Sequence, residues 1–338
     1  MDLNTVWFIL VGLLLAGYAL FDGFDLGVGA LHLLTKNDLD RRTMLSAIGP
    51  VWDGNEVWLL VGGGALFAAF PHVYATVFSG FYMALMLLLC GLIMRAVSIE
   101  FRSKQPMKWW RSLWDIVFSI SSVLVALLLG VALGNVIRGI PIGADMEFCG
   151  TFWGLLNPYA LAMGLTTLSF SLMHGNLYLL LKTEGELHAY FRKRMKCTFC
   201  TFLFFYGAIA IATVSLAPHF LIRFKTFPWF FAILAVNLLA VFNLARSFSQ
   251  GKDFMAFLSS CLVILTFLAF FAVGMYPNLV VSHPMPQHSL TIYNSASSLK
   301  TLQNMAIIAC LGLPLVLAYT TIVYRVFRGK VKTSDIIY

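Results

Sequence analysis

The sequence is poor in charge. Only 11% of its 338 residues are Asp, Glu, Lys or Arg, against about 25% in a typical soluble domain. A chain that is 60% hydrophobic cannot clothe itself in polar surface. This excludes a two-domain soluble enzyme, which length alone would allow, and it excludes disorder. Cysteine is sparse too, with six residues, five of them inside apolar runs and Cys149 in a loop. They read as small buried hydrophobes, so a disulfide scaffold is excluded. No Walker, Rossmann or triad motif is present. Of the seven histidines only His32 and His174 fall in apolar helical runs, and no two pair at helical spacing. Haem ligation by this chain is therefore not indicated. Cys197 and Cys200 have metal-ligand spacing without a second pair, and His283 and His288 share only a loop. No metal site is expected.

What the sequence has in abundance is long apolar runs. A helix needs about 20 apolar residues to cross the hydrocarbon core. Nine runs qualify, roughly 5–34, 51–70, 74–99, 114–137, 152–181, 197–217, 227–246, 254–276 and 301–326. Their length and the lack of period-2 alternation predict helices, not a barrel. The chain reads as an all-α polytopic membrane protein, one integral membrane domain over 1–338. The first run is too long and too acidic for a cleaved signal peptide and is read as a permanent helix.

The net charge of +8 is not spread evenly. Eighteen Lys and Arg fall in one set of alternate loops and the C-terminal tail, four in the other set, and Arg95 inside the third run. The positive-inside rule then places the N-terminus in the periplasm and the C-terminus in the cytoplasm. The basic residues belong to loops at a lipid surface, and no nucleic-acid partner is expected. Two faintly similar four-helix units, about 5–137 and 152–276, with a ninth helix at 301–326, are one possible organisation.

Acids inside membrane helices cost at least ~2.5–3.5 kcal/mol each near the centre. The first run holds Asp22 and Asp25. The second holds Asp53 and Glu56, at the same spacing of three that shares a helix face. The third ends with Arg95 and Glu100, and Asp115 opens the fourth. The predicted topology brings the acids of three helices to one layer in the cytoplasmic half. Carboxyl groups in such a layer can relay protons. The alternative is structural: acids at helix starts cap backbone N–H groups, and Arg95 neutralises Glu100. Trp52 and Trp58 flank Asp53 and Glu56, either as core packing or as contacts to a flat ligand such as a quinone. Trp109 and Trp110 read as an interfacial anchor.

Several motifs together resemble the second subunit of cytochrome bd-type quinol oxidases. They are Gly17 to Gly29 (GYALFDGFDLGVG), Pro50 to Trp58 (PVWDGNEVW), Gly62 to Pro71 (GGGALFAAFP) and Phe78 to Tyr82 (FSGFY). Arg95 with Glu100, Phe101 to Lys104, Leu156-Asn157-Pro158 and Gly185 to His188 follow, and then Ser289 to Ser298. The resemblance spans nearly the whole chain. It implies nine helices, as two four-helix bundles plus one peripheral helix, in the bacterial inner membrane. It implies a haem-bearing subunit I as partner and a small single-helix subunit. The complex would oxidise quinol and reduce dioxygen to water in aerobic respiration. Its haems, b and d or b only, would sit in the partner. Asp25 and Asp53 would line a cytoplasmic proton entry, with Asp22 and Glu56 beside them. Trp52, Arg95 and Glu100 would form a polar region where some members hold a structural quinone, near Trp52. Glu56 stands where some members carry Gln, and the 217–226 segment is short.

Overall fold

The computed structural model describes residues 2–332. The ends of the expected domain, residue 1 and residues 333–338, lie outside the described residues. Among the described residues the chain is almost entirely helical. Its helices in chain order are α1 (Leu3–Leu31), α2 (Asp38–Ile48), α3 (Trp52–Ala69), α4 (Pro71–Gly80), α5 (Tyr82–Phe101), α6 (Lys108–Arg138) and α7 (Phe152–Leu155). They continue with α8 (Pro158–Lys182), α9 (Gly185–Leu216), α10 (Ile222–Thr226), α11 (Phe231–Ser249), α12 (Asp253–Met275) and α13 (Leu299–Val326).

Caps explain several starts. The Asp2 carboxylate accepts from the Thr5 amide at 2.8 Å and the Asn157 side chain from the Ala160 amide at 3.0 Å, each satisfying an otherwise orphaned N–H. Pro158 sits at the first helical position, where its missing N–H costs nothing. This cap breaks the fifth apolar run into α7 and α8. The third run likewise divides into α4 and α5. The fourth and sixth expected helices begin well before their apolar stretches, at Lys108 and Gly185. Hydropathy marks the lipid-crossing part of a helix, not its polar extension.

Among the described residues, seven helices are long and apolar enough to cross a membrane. Two of the nine expected spans, α3 and α8, fall short of that measure. Both carry polar residues: Asp53, Asn55 and Glu56 on α3, His174 and Asn176 on α8. Helix α8 can afford them because its neighbours are protein. It packs against α1, α6, α9 and α12, while α1 also meets α3 and α6, α5 meets α6, and α11 meets α12. The main core follows α1 and α8, from Phe24, Val28 and Leu31 to Met173, Leu177 and Leu180.

Helix α13 stands apart. It touches α1 and α3 lightly, and of its residues only Leu302 is buried. Its start is tied down by the Trp7 indole, which donates to the Leu302 carbonyl at 3.0 Å, and by the Ser297 amide, which donates to the Ala69 carbonyl at 2.9 Å. Beyond its far end, Lys182 donates to the Phe327 carbonyl and accepts from the Val331 amide through its own carbonyl. The 277–300 loop forms a short antiparallel pair, β1 (Asn278–Val280) with β2 (Leu290–Thr291), and His288 Nδ1 lies 3.0 Å from the Ile142 carbonyl. The short 217–226 segment is wound into a 3-10 turn and α10, with Phe220 and Phe224 fully buried.

The cysteines correct an expectation. None is fully buried: Cys261 is half-buried and the other five are exposed. In a membrane protein the lipid-facing surface is itself apolar, so an apolar run says nothing about which side faces protein.

Candidate functional site

Two buried polar clusters lie in the part of the bundle built by α1, α3, α5 and α6. The first begins with α1, whose Asp22 and Asp25 lie on one face and are almost wholly buried. Two close approaches place that face. A Cβ at Gly17 would lie 2.4 Å from the Trp58 ring, and one at Gly27 only 1.8 Å from the Ser171 carbonyl oxygen of α8. The two glycines thus draw α3 and α8 onto α1 on either side of the acids.

From α5, Arg95 enters fully buried. Its Nη2 stands 2.7 Å from Asp22 Oδ1 and 3.0 Å from Glu56 Oε2. The Glu56 contact is an aligned hydrogen bond, while the Asp22 contact has ion-pair distance only. Asp25 has a different partner. The Asn55 amide donates to Asp25 Oδ2 at 2.8 Å and to the Phe21 carbonyl at 3.2 Å. The Tyr324 hydroxyl, from α13, donates to Asn55 Oδ1 at 2.9 Å. Asp22 Oδ2, Asp25 Oδ1, the Tyr18 hydroxyl and Arg95 Nε and Nη1 are buried without a protein hydrogen bond.

The structure therefore brings together Asp22, Asp25, Glu56 and Arg95. It does not bring in Glu100, which is exposed at the end of α5. The expected neutralisation of Glu100 by Arg95 is overturned. Five residues apart on a helix they point about 140° from each other, and Arg95 pairs with Asp22 and Glu56 instead. Asp53 is exposed on the first turn of α3, and Trp52 beside it is half-buried against the main core. Asn55 and Tyr324 were not singled out by the sequence. Asn55 sits between two acids and was readable in principle. Tyr324 carried no signal, being one of twelve tyrosines.

The second cluster surrounds Asp115, which lies inside α6 rather than opening it. His32 Nε2 is 2.6 Å from Asp115 Oδ1, and Arg41 Nη1 is 2.8 Å from Oδ2. Arg102 donates through Nε to Oδ1 and through Nη2 to Asp38 at 2.8 Å. Arg111 reaches the other oxygen of Asp38 at 3.0 Å. This network joins the end of α1, α2, the end of α5 and the start of α6. Just outside the spans, burial raises the pKa of the Asp40 carboxyl on α2, and the nearby Glu186 adds to that shift.

The two histidines of the apolar runs both have protein partners. His32 Nε2 is committed to Asp115. His174 uses Nδ1 toward Ser260 at 2.8 Å and Nε2 toward the Leu20 carbonyl at 3.1 Å, with its ring stacked on Phe257. Among the described residues no group of three His, Cys, Asp or Glu side chains is arranged to hold a metal ion.

A family model described as cytochrome bd terminal oxidase subunit II matches residues 3–327. The chain belongs to that family. It is 35% identical to cytochrome bd-I ubiquinol oxidase subunit 2 of Escherichia coli K12, over 99% of this chain and 96% of that one. It is 35% identical to cytochrome bd ubiquinol oxidase subunit 2 of Bacillus subtilis 168, over 99% and 98%. The fold is similar to a chain of the bd oxidase structure from Geobacillus thermodenitrificans, with a TM-score of 0.79 at 16% identity, covering 97% and 99%. The bd oxidase subunit II family and the seven apolar helices make this a multi-pass protein of the bacterial inner membrane. Quinol oxidation and electron transport follow from the family, whose relatives are named as oxidase subunits.

Proposed function

We propose that this chain is the non-haem-ligating subunit of a quinol:oxygen oxidoreductase and gives cytoplasmic protons a way in. It would pair with a haem-bearing subunit I, carrying haems b and d or b only, and with a small single-helix subunit. Nine helices would span the membrane as one integral domain, two four-helix bundles and a peripheral α13, with the N-terminus periplasmic and the C-terminus cytoplasmic. Here α3 and α8 cross beside protein neighbours, which is how a less apolar helix is tolerated in lipid.

One observation carries the proton role. Two carboxyl groups, Asp22 and Glu56, pair with one buried guanidinium, Arg95, while the buried Asp25 beside them has only the neutral Asn55 amide as its partner. In a low-dielectric site a charge without a partner is strongly disfavoured. The cluster beyond its Arg95 pairs is therefore balanced by protons, and a site that holds protons inside a membrane helix layer can pass them on. Asp53, exposed at the start of α3 on the expected cytoplasmic side, would be the mouth of this path.

Asp25→Asn in the assembled oxidase should lower quinol oxidase turnover per haem by about tenfold or more, the usual scale for removing a proton-transfer group. Haem content should stay at the wild-type level. Unchanged turnover sinks the proton role, and lost haem with turnover per haem kept would make the acids a scaffold only. The quinone implied by the resemblance is placed against Trp52. Quinone extracted from the purified complex should decrease in Trp52→Ala; an equal yield removes that assignment.

A further inference from the structure

The acid cluster contains a neutral chain of contacts that no charge count reveals. Asn55 is 2% exposed and makes three hydrogen bonds. The Phe21 carbonyl can only accept, so it demands the amide nitrogen. The Tyr324 hydroxyl, arriving from α13, supplies a donor to the amide oxygen. Both partners fix the same orientation. Asn55 is therefore held as a donor to Asp25 Oδ2, and Oδ2 is held as an acceptor.

That leaves Asp25 Oδ1, which is buried and has no protein partner. A neutral carboxyl carries its hydrogen on one oxygen only. With Oδ2 occupied by an incoming N–H, the hydrogen belongs on Oδ1. We infer that Asn55 and Tyr324 are positioning residues that fix the Asp25 carboxyl so that its proton is taken up and released at Oδ1. This rests on the proposed role of Asp25 and adds to it a direction. It also makes the peripheral helix α13, which otherwise barely touches the bundle, part of the site. The charged and titratable neighbours of Asp25 are Asp22 on its own helix, Glu56 on α3, Arg95 on α5, Tyr178 on α8 and Tyr324 on α13. Of these, Tyr324 alone reaches Asp25 through Asn55.

Infrared difference spectroscopy of the purified complex tests this. A carboxylic acid C=O band that is lost in Asp25→Asn belongs to Asp25. Its frequency depends on the hydrogen bond that Oδ2 accepts. In Tyr324→Phe the amide loses its clamp, so the band should move to higher frequency and turnover per haem should fall several-fold with haem content kept. Asn55→Leu should move the band further in the same direction. If Asn55→Leu fails to assemble, as the haem spectrum would show, the isosteric Tyr324→Phe still decides. A band that stays in place in Tyr324→Phe overturns the inference while leaving the Asp25 role standing. If Asp25→Asn removes no band and costs no turnover, the inference falls together with the proton role.

Discussion

Asp115→Ala should destabilise the subunit by about 3–5 kcal/mol, the cost of breaking a buried ion pair from one side. Asp115 is 1% exposed, and so is Arg102. Its two oxygens answer His32, Arg41 and Arg102 together. Without it Arg102 keeps only Asp38, which is itself exposed and shared with Arg111. A buried guanidinium would then lack its main counter-charge, and the ends of α1, α5 and α6 would lose their common tie. The measurement is the amount of subunit and of haem retained in membranes, with the thermal inactivation temperature of whatever assembles. Asp115→Asn, which keeps shape but not charge, should lie between the two. Wild-type yield and inactivation temperature in Asp115→Ala would mean that the network is ornamental.

Gly27→Ala should have the second largest effect. The added Cβ would stand 1.8 Å from the Ser171 carbonyl oxygen, 2.7 Å from its carbon and 2.9 Å from the Gly175 Cα. All three are backbone atoms, so no side chain can swing aside. Overpacking typically costs about 1–3 kcal/mol and sometimes more, and a backbone clash this close belongs at the upper end. Helices α1 and α8 would have to part, and Asp22 and Asp25 would move with α1. Complex yield and turnover per haem should both drop. Gly23→Ala is the control on the same helix, because its Cβ meets only the His174 ring, at 3.9 Å. Equal yields from the two variants would show that the α1–α8 approach has more slack than its distances imply.

Much of the site could be read in the sequence, for one physical reason: charge in a membrane helix is rare enough to stand out. Asp22, Asp25, Glu56 and Arg95 were all singled out on that ground, and they meet. The pairing was less legible. Arg95 and Glu100 were close in sequence but lie on different sides of α5, while Arg95 and Asp22 are 73 positions apart and touch. Asp115 was placed at a helix start because the apolar run begins there, whereas α6 begins at Lys108. Its three partners, His32, Arg41 and Arg102, come from the end of α1, from α2 and from the end of α5, which no local pattern reveals. Neutral groups left the weakest trace. Asn55 and Tyr324 are ordinary residues that matter only through geometry. The same holds for the cysteines, whose apolar surroundings did not distinguish lipid from protein.

The ties that α1 and α3 make with α13 have a consequence for how the chain is made. Trp7 bonds to Leu302, 295 positions later, and Asn55 to Tyr324, 269 positions later. During synthesis the acids of α1 are made long before Tyr324, whose hydroxyl completes their surroundings. Until α13 is made, Asn55 has no Tyr324 to hold it. A chain cut short before α13 would own every acid of the cluster and still lack the group that orients Asp25. Completion of the site is thereby linked to the synthesis of α13.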